Sequence, residues 1–258
     1  MHLQVLSSGS QGNATLVRAG DLCALVDAGL PAKEMTERLE SARVAPQNLS
    51  HILLTHGHLD HARSAGILSR RFRATLHCAE AVMRNASIRR SKRLHALSIG
   101  NATEIEDSGG LRYTAVLLPH DAVPTVAYRL EHEGRSAVIL TDMGKPSAEV
   151  ARRLGGAHVI VLEFNHDPTM LRNGPYAEPL QRRIRGNAGH LSNAQAADML
   201  RLMASDDLHT LVLAHLSESN NTPELALQAA RSALAGLGLG HVRVLVASQY
   251  EIGPNLSV

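Results

Sequence analysis

The stretch Ile52-Leu53-Leu54-Thr55-His56-Gly57-His58-Leu59-Asp60-His61 decides how this chain is to be read. It begins as an apolar run that fits a buried strand, then presents three imidazoles and a carboxylate within six residues. His56 and His58 are two positions apart, so in extended backbone both side chains point to one side. His58 and His61 are three apart, the spacing of neighbours on a first helical turn. One short loop thus offers ligands to two adjacent sites. Neutral imidazole and carboxylate suit Zn, Mn and Fe. The alternative, a chance cluster of surface histidines, does not explain three His and an Asp directly behind a buried strand.

Outward from this loop the pattern recurs. His120 follows Val116-Leu117-Leu118-Pro119, Asp142 follows Val138-Ile139-Leu140-Thr141, and His215 follows Leu211-Val212-Leu213-Ala214. His190 stands in Ala188-Gly189-His190-Leu191-Ser192-Asn193, ahead of a helical segment. In layered α/β folds the edge where strands end is where ligands bind. A lone loop histidine is ordinarily a surface residue. Recurrence at strand ends beside the 56–61 cluster reverses that reading.

Residue patterns predict strands at 3–6, 15–18, 23–26, 50–55, 74–77, 111–118, 125–130, 136–140, 159–162, 210–213 and 242–246. They predict helices at 31–41, 60–70, 147–154, 193–203 and 223–237, with a basic helix starting at 79–85. No internal repeat, low-complexity tract or long linker interrupts the alternation. One α/β domain over residues 1–258 is the expectation.

Composition narrows the classes. With 44% apolar and only 2% aromatic residues, the core must be built from Leu, Val, Ile and Ala. Such a chain is not collagen, a disulfide scaffold or an acidic disordered polymer. No run of about 18 apolar residues exists, which predicts no membrane span. The opening Met1-His2-Leu3-Gln4-Val5 lacks the pattern of a secretory signal. Two distant cysteines, Cys23 and Cys78, predict reduced thiols and a cytoplasmic location. The formal net charge is +2, but residues 61–103 carry Arg63, Arg70, Arg71, Arg73, Arg84, Arg89, Arg90, Lys92 and Arg93 against Glu80 alone. That segment is +8 and the remainder −6, an asymmetry that points to a polyanionic partner. A solvated Arg-rich face is the bland alternative. A weaker patch is Arg182, Arg183 and Arg185.

The His-x-His-x-Asp-His motif at 56–61, with His120, Asp142 and His215 in order, resembles the metallo-β-lactamase fold superfamily. The resemblance implies a four-layer αββα sandwich with two divalent metal ions, Zn2+ or Mn2+, at one edge. It assigns His56, His58 and His120 to the first ion, Asp60, His61 and His215 to the second, and Asp142 to the bridge. Lactamases of this fold mostly carry Cys where Asp142 stands, which disfavours antibiotic hydrolysis. Further blocks are similar to the YycJ/WalJ group of bacterial nucleases: Ser7-Ser8-Gly9-Ser10-Gln11-Gly12-Asn13, Asn165-His166-Asp167, Asn173-Gly174-Pro175-Tyr176, Gly189–Asn193 and Ala214–Ser217. That group implies a 5′ to 3′ DNA exonuclease with a mismatch-repair role. Only 72 residues separate Asp142 from His215, too few for the inserted domain of an RNase J type. His120 and Asp142 are 22 positions apart, which leaves no room for the tRNA-gripping arm of tRNase Z.

Phosphodiester cleavage needs a nucleophile, charge neutralisation and a proton for the leaving oxygen. Two divalent ions about 3.5–4 Å apart can clamp a phosphate and activate water. Asp60 is expected to orient or deprotonate that water. His190 is expected to protonate the leaving group, steadied by Glu163. Ser7, Ser8 and Asn13 are expected to donate to a phosphate oxygen, and Arg89, Arg90 and Arg93 to bind flanking phosphates. His166 is a further candidate beside the ions. DNA is the expected polymer rather than RNA. The competing expectations are a small-molecule hydrolase of the same fold, such as a thioesterase or cyclic-nucleotide phosphodiesterase, and a non-catalytic adaptor that keeps metal for stability.

Overall fold

Short β-branched and Leu-rich runs, separated by turns, form every strand of two sheets. The computed structural model describes residues 1–122 and 124–258. One seven-stranded sheet holds β1 (His2–Ser7), β2 (Ala14–Ala19), β3 (Leu22–Val26), β4 (His51–Leu53), β5 (Thr75–Cys78) and β6 (Leu94–Ala96). The other is β7 (Ala102–Glu104), β8 (Arg112–Leu118), β9 (Thr125–His132), β10 (Arg135–Leu140), β11 (Val159–Glu163), β12 (Thr210–Ala214) and β13 (Arg243–Val246). The last strand, β14 (Leu256–Ser257), returns to pair with β1 in the first sheet. In each sheet an antiparallel meander passes into a parallel run: β1–β2–β3 into β4–β5–β6, and β8–β9–β10 into β11–β12–β13. The two halves therefore share one plan although the sequence shows no repeat.

Alternation along the strands sorts side chains onto two faces, and here both faces are apolar. Val159 and Val161 of β11 meet Ala24 and Val26 of β3 in a core between the sheets. Ile160 and Leu162 face the opposite way and pack on Leu200, Met203 and Ala230 of the covering helices. Leu16 and Leu25 likewise turn outward onto Met35, Leu39 and Leu68. Three separate cores between four layers make the αββα sandwich expected from the sequence. Aromatic mass is scarce, and the two largest fully buried side chains, Tyr113 and Tyr128, sit edge to face in the inter-sheet core with centroids 5.9 Å apart.

The helices are α1 (Ala32–Ser41), α2 (Leu59–Ala62), α3 (Ala65–Phe72), α4 (Glu80–Met83), α5 (Ala148–Leu154), α6 (Pro168–Asn173), α7 (Glu178–Arg185), α8 (Asn193–Met203) and α9 (Pro223–Gly236). The helix expected at 60–70 is split into α2 and α3. Ser64 sends both its amide (2.9 Å) and its hydroxyl (3.1 Å) to the Ala28 carbonyl, so the chain turns between them. The basic helix begun at 79 stops after one turn, leaving Arg84, Arg89 and Arg90 on exposed turns. Helices α6 and α7 were not expected, and each carries a proline, which inside a helix would break it. Pro168 and Pro179 instead occupy first-turn positions, where no intrahelical N–H is lost. Among the described residues, no helix is long and apolar enough to cross a membrane.

Candidate metal centre

The seven expected ligands converge at one end of the sandwich, where strands give way to loops. His56, His58, Asp60 and His61 follow β4, and His120 follows β8. Asp142 follows β10 and His215 follows β12. Asp142 (φ 61°) and His215 (φ 55°) both take the left-handed backbone, as does Asp27 (φ 63°) after β3. Non-glycine residues rarely adopt it, and such strain clusters where a side chain must be aimed.

Three imidazoles, those of His56, His58 and His120, form one group whose ligand atoms all lie within 4.8 Å of one another. Asp60, His61 and His215 form a second group by the same measure. Asp142 lies between them. Its Oδ2 is 3.1 Å from His61 Nε2, and its Oδ1 is 3.9 Å from His120 Nε2. Behind four of the five rings, His58 excepted, the nitrogen Nδ1 has a partner. His56 Nδ1 is 3.0 Å from Thr55 Oγ1, and His61 Nδ1 is 2.8 Å from Asp27 Oδ2. His120 Nδ1 is 3.0 Å from the Gly189 carbonyl, and His215 Nδ1 is 3.0 Å from Glu163 Oε1. Such outer contacts fix the tautomer and leave Nε2 for a ligand.

What remains is a set of polar atoms without partners. His56 Nε2, His120 Nε2, His215 Nε2 and Asp142 Oδ2 are buried and accept or donate no hydrogen bond. Each would cost about 1–3 kcal/mol if left so. Convergent imidazole nitrogens and a carboxylate oxygen are the donor set of a divalent cation, so the residues fit the group.

Within the site, burial and neighbouring charges set each group's protonation. Burial pushes His56 well below its ordinary value, so its ring stays neutral. Burial opposes charge on His61 and His215 too, but carboxylates override it. Asp142 and Asp27 hold His61 well above its usual range. Asp142, Asp60 and Glu163 raise His215 to about 10. In turn, the imidazoles of His215 and His61 overcome burial at Asp142 and Asp60, whose carboxyls stay well below the usual range.

Beside the ligands, His190 and Glu163 are joined. Buried Glu163 accepts at Oε1 from His190 Nδ1 (2.7 Å) and His215 Nδ1 (3.0 Å). Its Oε2 accepts the amides of Met143 (3.0 Å) and Leu191 (3.1 Å). With its side chain 0% exposed, Glu163 cannot touch a substrate; although grouped with the catalytic candidates, it reaches the cleft only through His190 and His215, which makes it a positioning residue. His190 is 19% exposed and lines a cleft of about 260 Å³ with His58, Asp60, Asp142 and His215.

Other expectations are corrected as well. Ser7, Ser8 and Asn13 are buried, bonded inside the protein and absent from the cleft lining, so they do not present donors to a phosphate there. Ser7 Oγ donates to the Gly12 carbonyl (2.7 Å), and Ser8 Oγ accepts the His215 amide (2.8 Å). Asn13 Nδ2 lies 3.0 Å from His61 Nε2 and its Oδ1 accepts the Gly9 amide. This loop braces two ligands. Arg89, Arg90 and Arg93 are exposed but do not line the cleft. Arg183, Tyr176, Asp121 and Asn165 do line it, and the sequence reading assigned them no part there. His166 is buried away from the cleft, and Asp167 caps α6 by accepting the amides of Thr169 and Met170.

Residues 8–215 match the family model described as the metallo-beta-lactamase superfamily, a span that runs from the Ser8 brace to the last ligand. An "Exodeoxyribonuclease WalJ" of Streptococcus pneumoniae is 34% identical over 92% of this chain and 89% of its own length. An "Exodeoxyribonuclease YycJ" of Bacillus anthracis is 31% identical over 93% and 91%. The solved metallo-beta-lactamase fold protein YhfI of Bacillus subtilis superposes with a TM-score of 0.75 over 99% of both chains, at 17% identity. Three buried cores, ligands at the strand ends and a family match spanning most of the sequence agree: the chain belongs to the metallo-β-lactamase superfamily.

Proposed function

We propose that this protein is a metal-dependent nuclease, an exonuclease that hydrolyses DNA phosphodiester bonds from the 5′ end. The observation that carries the reading is the convergence of two imidazole-carboxylate groups on Asp142 in a chain related to exodeoxyribonucleases over nine-tenths of its length. His56, His58 and His120 would hold one ion, Asp60, His61 and His215 a second, with Asp142 shared. Bound there, Zn2+ or Mn2+ supplies charge neutralisation at the phosphate and lowers the pKa of water to about 7.

The chain's own groups do the rest. Asp60, 26% exposed at the cleft, orients the attacking water and accepts its proton at a carboxylate oxygen. His190, its Nδ1 pinned to Glu163, holds a proton on Nε2 and passes it to the leaving oxygen. Asn165 Nδ2 donates to the His215 carbonyl (2.9 Å) and steadies that loop. Arg89, Arg90 and Arg93 act outside the cleft, where they hold the flanking strand by a salt-dependent attraction that ignores sequence. DNA is preferred to RNA, and the protein works in the cytoplasm as a single domain over residues 1–258. A role in mismatch repair, implied by the resemblance, belongs to the same reading.

The test is release of nucleotides from end-labelled DNA with added Mn2+ or Zn2+. Asp60→Ala should lower the rate by at least about 100-fold, the usual contribution of a positioned base. Equal rates for the variant and the wild type would remove the hydrolytic reading.

A further inference from the structure

Helix α7 has no part in the chemistry described so far, yet it forms a wall of the cleft. On its outer side Glu178 pairs with Arg182 (3.7 Å) and Arg185 (2.7 Å). Its inner side presents Leu180, Arg183 and Ile184, with Tyr176 just ahead of the helix. Leu180 and Ile184 are one turn apart and share a face. They stand over a cluster of imidazoles and carboxylates, and Leu180 is 38% exposed there. Apolar groups left open beside convergent polar ones mark a ligand contact.

Arg183 is the charge on this inner face, and it pairs with Asp121 across the cleft. Asp121 Oδ1 also lies 3.3 Å from His120 Nε2 and 3.7 Å from His58 Nε2. The wall is fixed to the metal centre. The His190 amide donates to the Ile184 carbonyl (2.8 Å). A Cβ at Gly189 would collide with the carbonyls of Arg183 and Ile184, so only glycine permits this approach. Gln181, itself buried, donates to the Tyr176 carbonyl (2.8 Å). The cleft, about 260 Å³, falls just below the range of roughly 300–1,000 Å³ for small-molecule pockets. It suits one nucleotide rather than a folded strand.

We propose that α7 and Tyr176 form the subsite for the terminal nucleoside of the strand, a step that rests on the nuclease reading. The base lies against Tyr176, Leu180 and Ile184, and the phosphate beside it takes Arg183 from Asp121. Stacking on such a surface serves every base alike, so the subsite measures the presence of a base and not its identity. It also limits each cycle to one nucleotide.

The test compares kcat/KM of the Mn2+-loaded protein for two DNA strands, one ending in thymidine and one in an abasic tetrahydrofuran residue at the attacked end. The wild type is expected to favour the strand with a base by about 10-fold, the scale of one stacked base. Leu180→Asn and Tyr176→Ala should bring the ratio towards one, chiefly through KM, whereas Leu180→Met should keep it. Arg183→Gln should raise KM for both strands and leave their ratio alone. Leu180 is exposed, so its substitution does not threaten the core. A wild type that cuts both strands equally, or a ratio unchanged in Leu180→Asn, overturns the subsite and leaves the nuclease reading standing. A wild type that releases nucleotides from neither strand overturns both.

Discussion

Asp142→Asn is expected to lower kcat/KM for DNA by at least about 1,000-fold, the loss of some 4 kcal/mol of stabilisation at the charged centre. Asp142 is the carboxylate between the two ligand groups, and its Oδ2 is buried without a hydrogen-bond partner. Asparagine tolerates the left-handed backbone that this position adopts and has nearly the same volume. The variant therefore removes charge while sparing shape, which alanine would not do. Its metal content should fall and its circular dichroism should match the wild type. Activity within tenfold of the wild type would show that Asp142 carries no charge essential to the reaction.

Glu163→Gln is expected to destabilise the metal-free protein by about 3 kcal/mol, read as a lower urea midpoint. Four donors converge on this carboxylate: two ring N–H groups and the amides of Met143 and Leu191. A glutamine offers one oxygen, and its NH2 faces donors. The same contacts give a pH signature. Burial opposes ionisation of Glu163, but His190 and His215 hold its pKa down to about 2, below the ordinary 4.5. A folded pKa below the unfolded one means that the unfolded chain binds more protons in between. This contribution is thus fully present above pH 4.5 and is lost as pH falls towards 2. The wild type should show that loss and Glu163→Gln should lack it. Equal midpoints for the two proteins would mean that Glu163 does not organise the site.

The candidate ligand positions were legible because each polar residue breaks an apolar run at a strand end. His56 to His61 form one loop, and His120, Asp142 and His215 each follow a buried strand. Asp27 obeys the same rule behind β3, yet an isolated Asp does not stand out unless its partner His61 is known. The Ser7–Asn13 loop looked like a phosphate cradle because its residue types suit one. The side chains of Ser7, Ser8 and Asn13 turn inward, a choice made by partners as distant as Gln249, whose Nε2 donates to Ser7 Oγ (2.7 Å), while Ser10 alone of the loop lines the cleft. Tyr176 and Arg183 stood out only as part of a similar block and of a weak basic patch; without the helix that carries Arg183 and follows Tyr176, nothing placed them at the cleft. Strands β6, β7 and β14 are two or three residues long and lie at or beside sheet edges, so their pairing is settled by neighbours rather than by pattern.

Metal-stripped protein titrated with Mn2+ while nucleotide release from DNA is followed tests the central claim most directly. Activity should be absent at the start, rise with added ion and saturate at two equivalents per chain. Because the carboxylates hold a proton on His215 up to about pH 10, ion uptake should release protons at pH 7 and weaken as pH falls. DNA hydrolysis that survives complete removal of the ion, at the rate of the reloaded protein, would contradict the account.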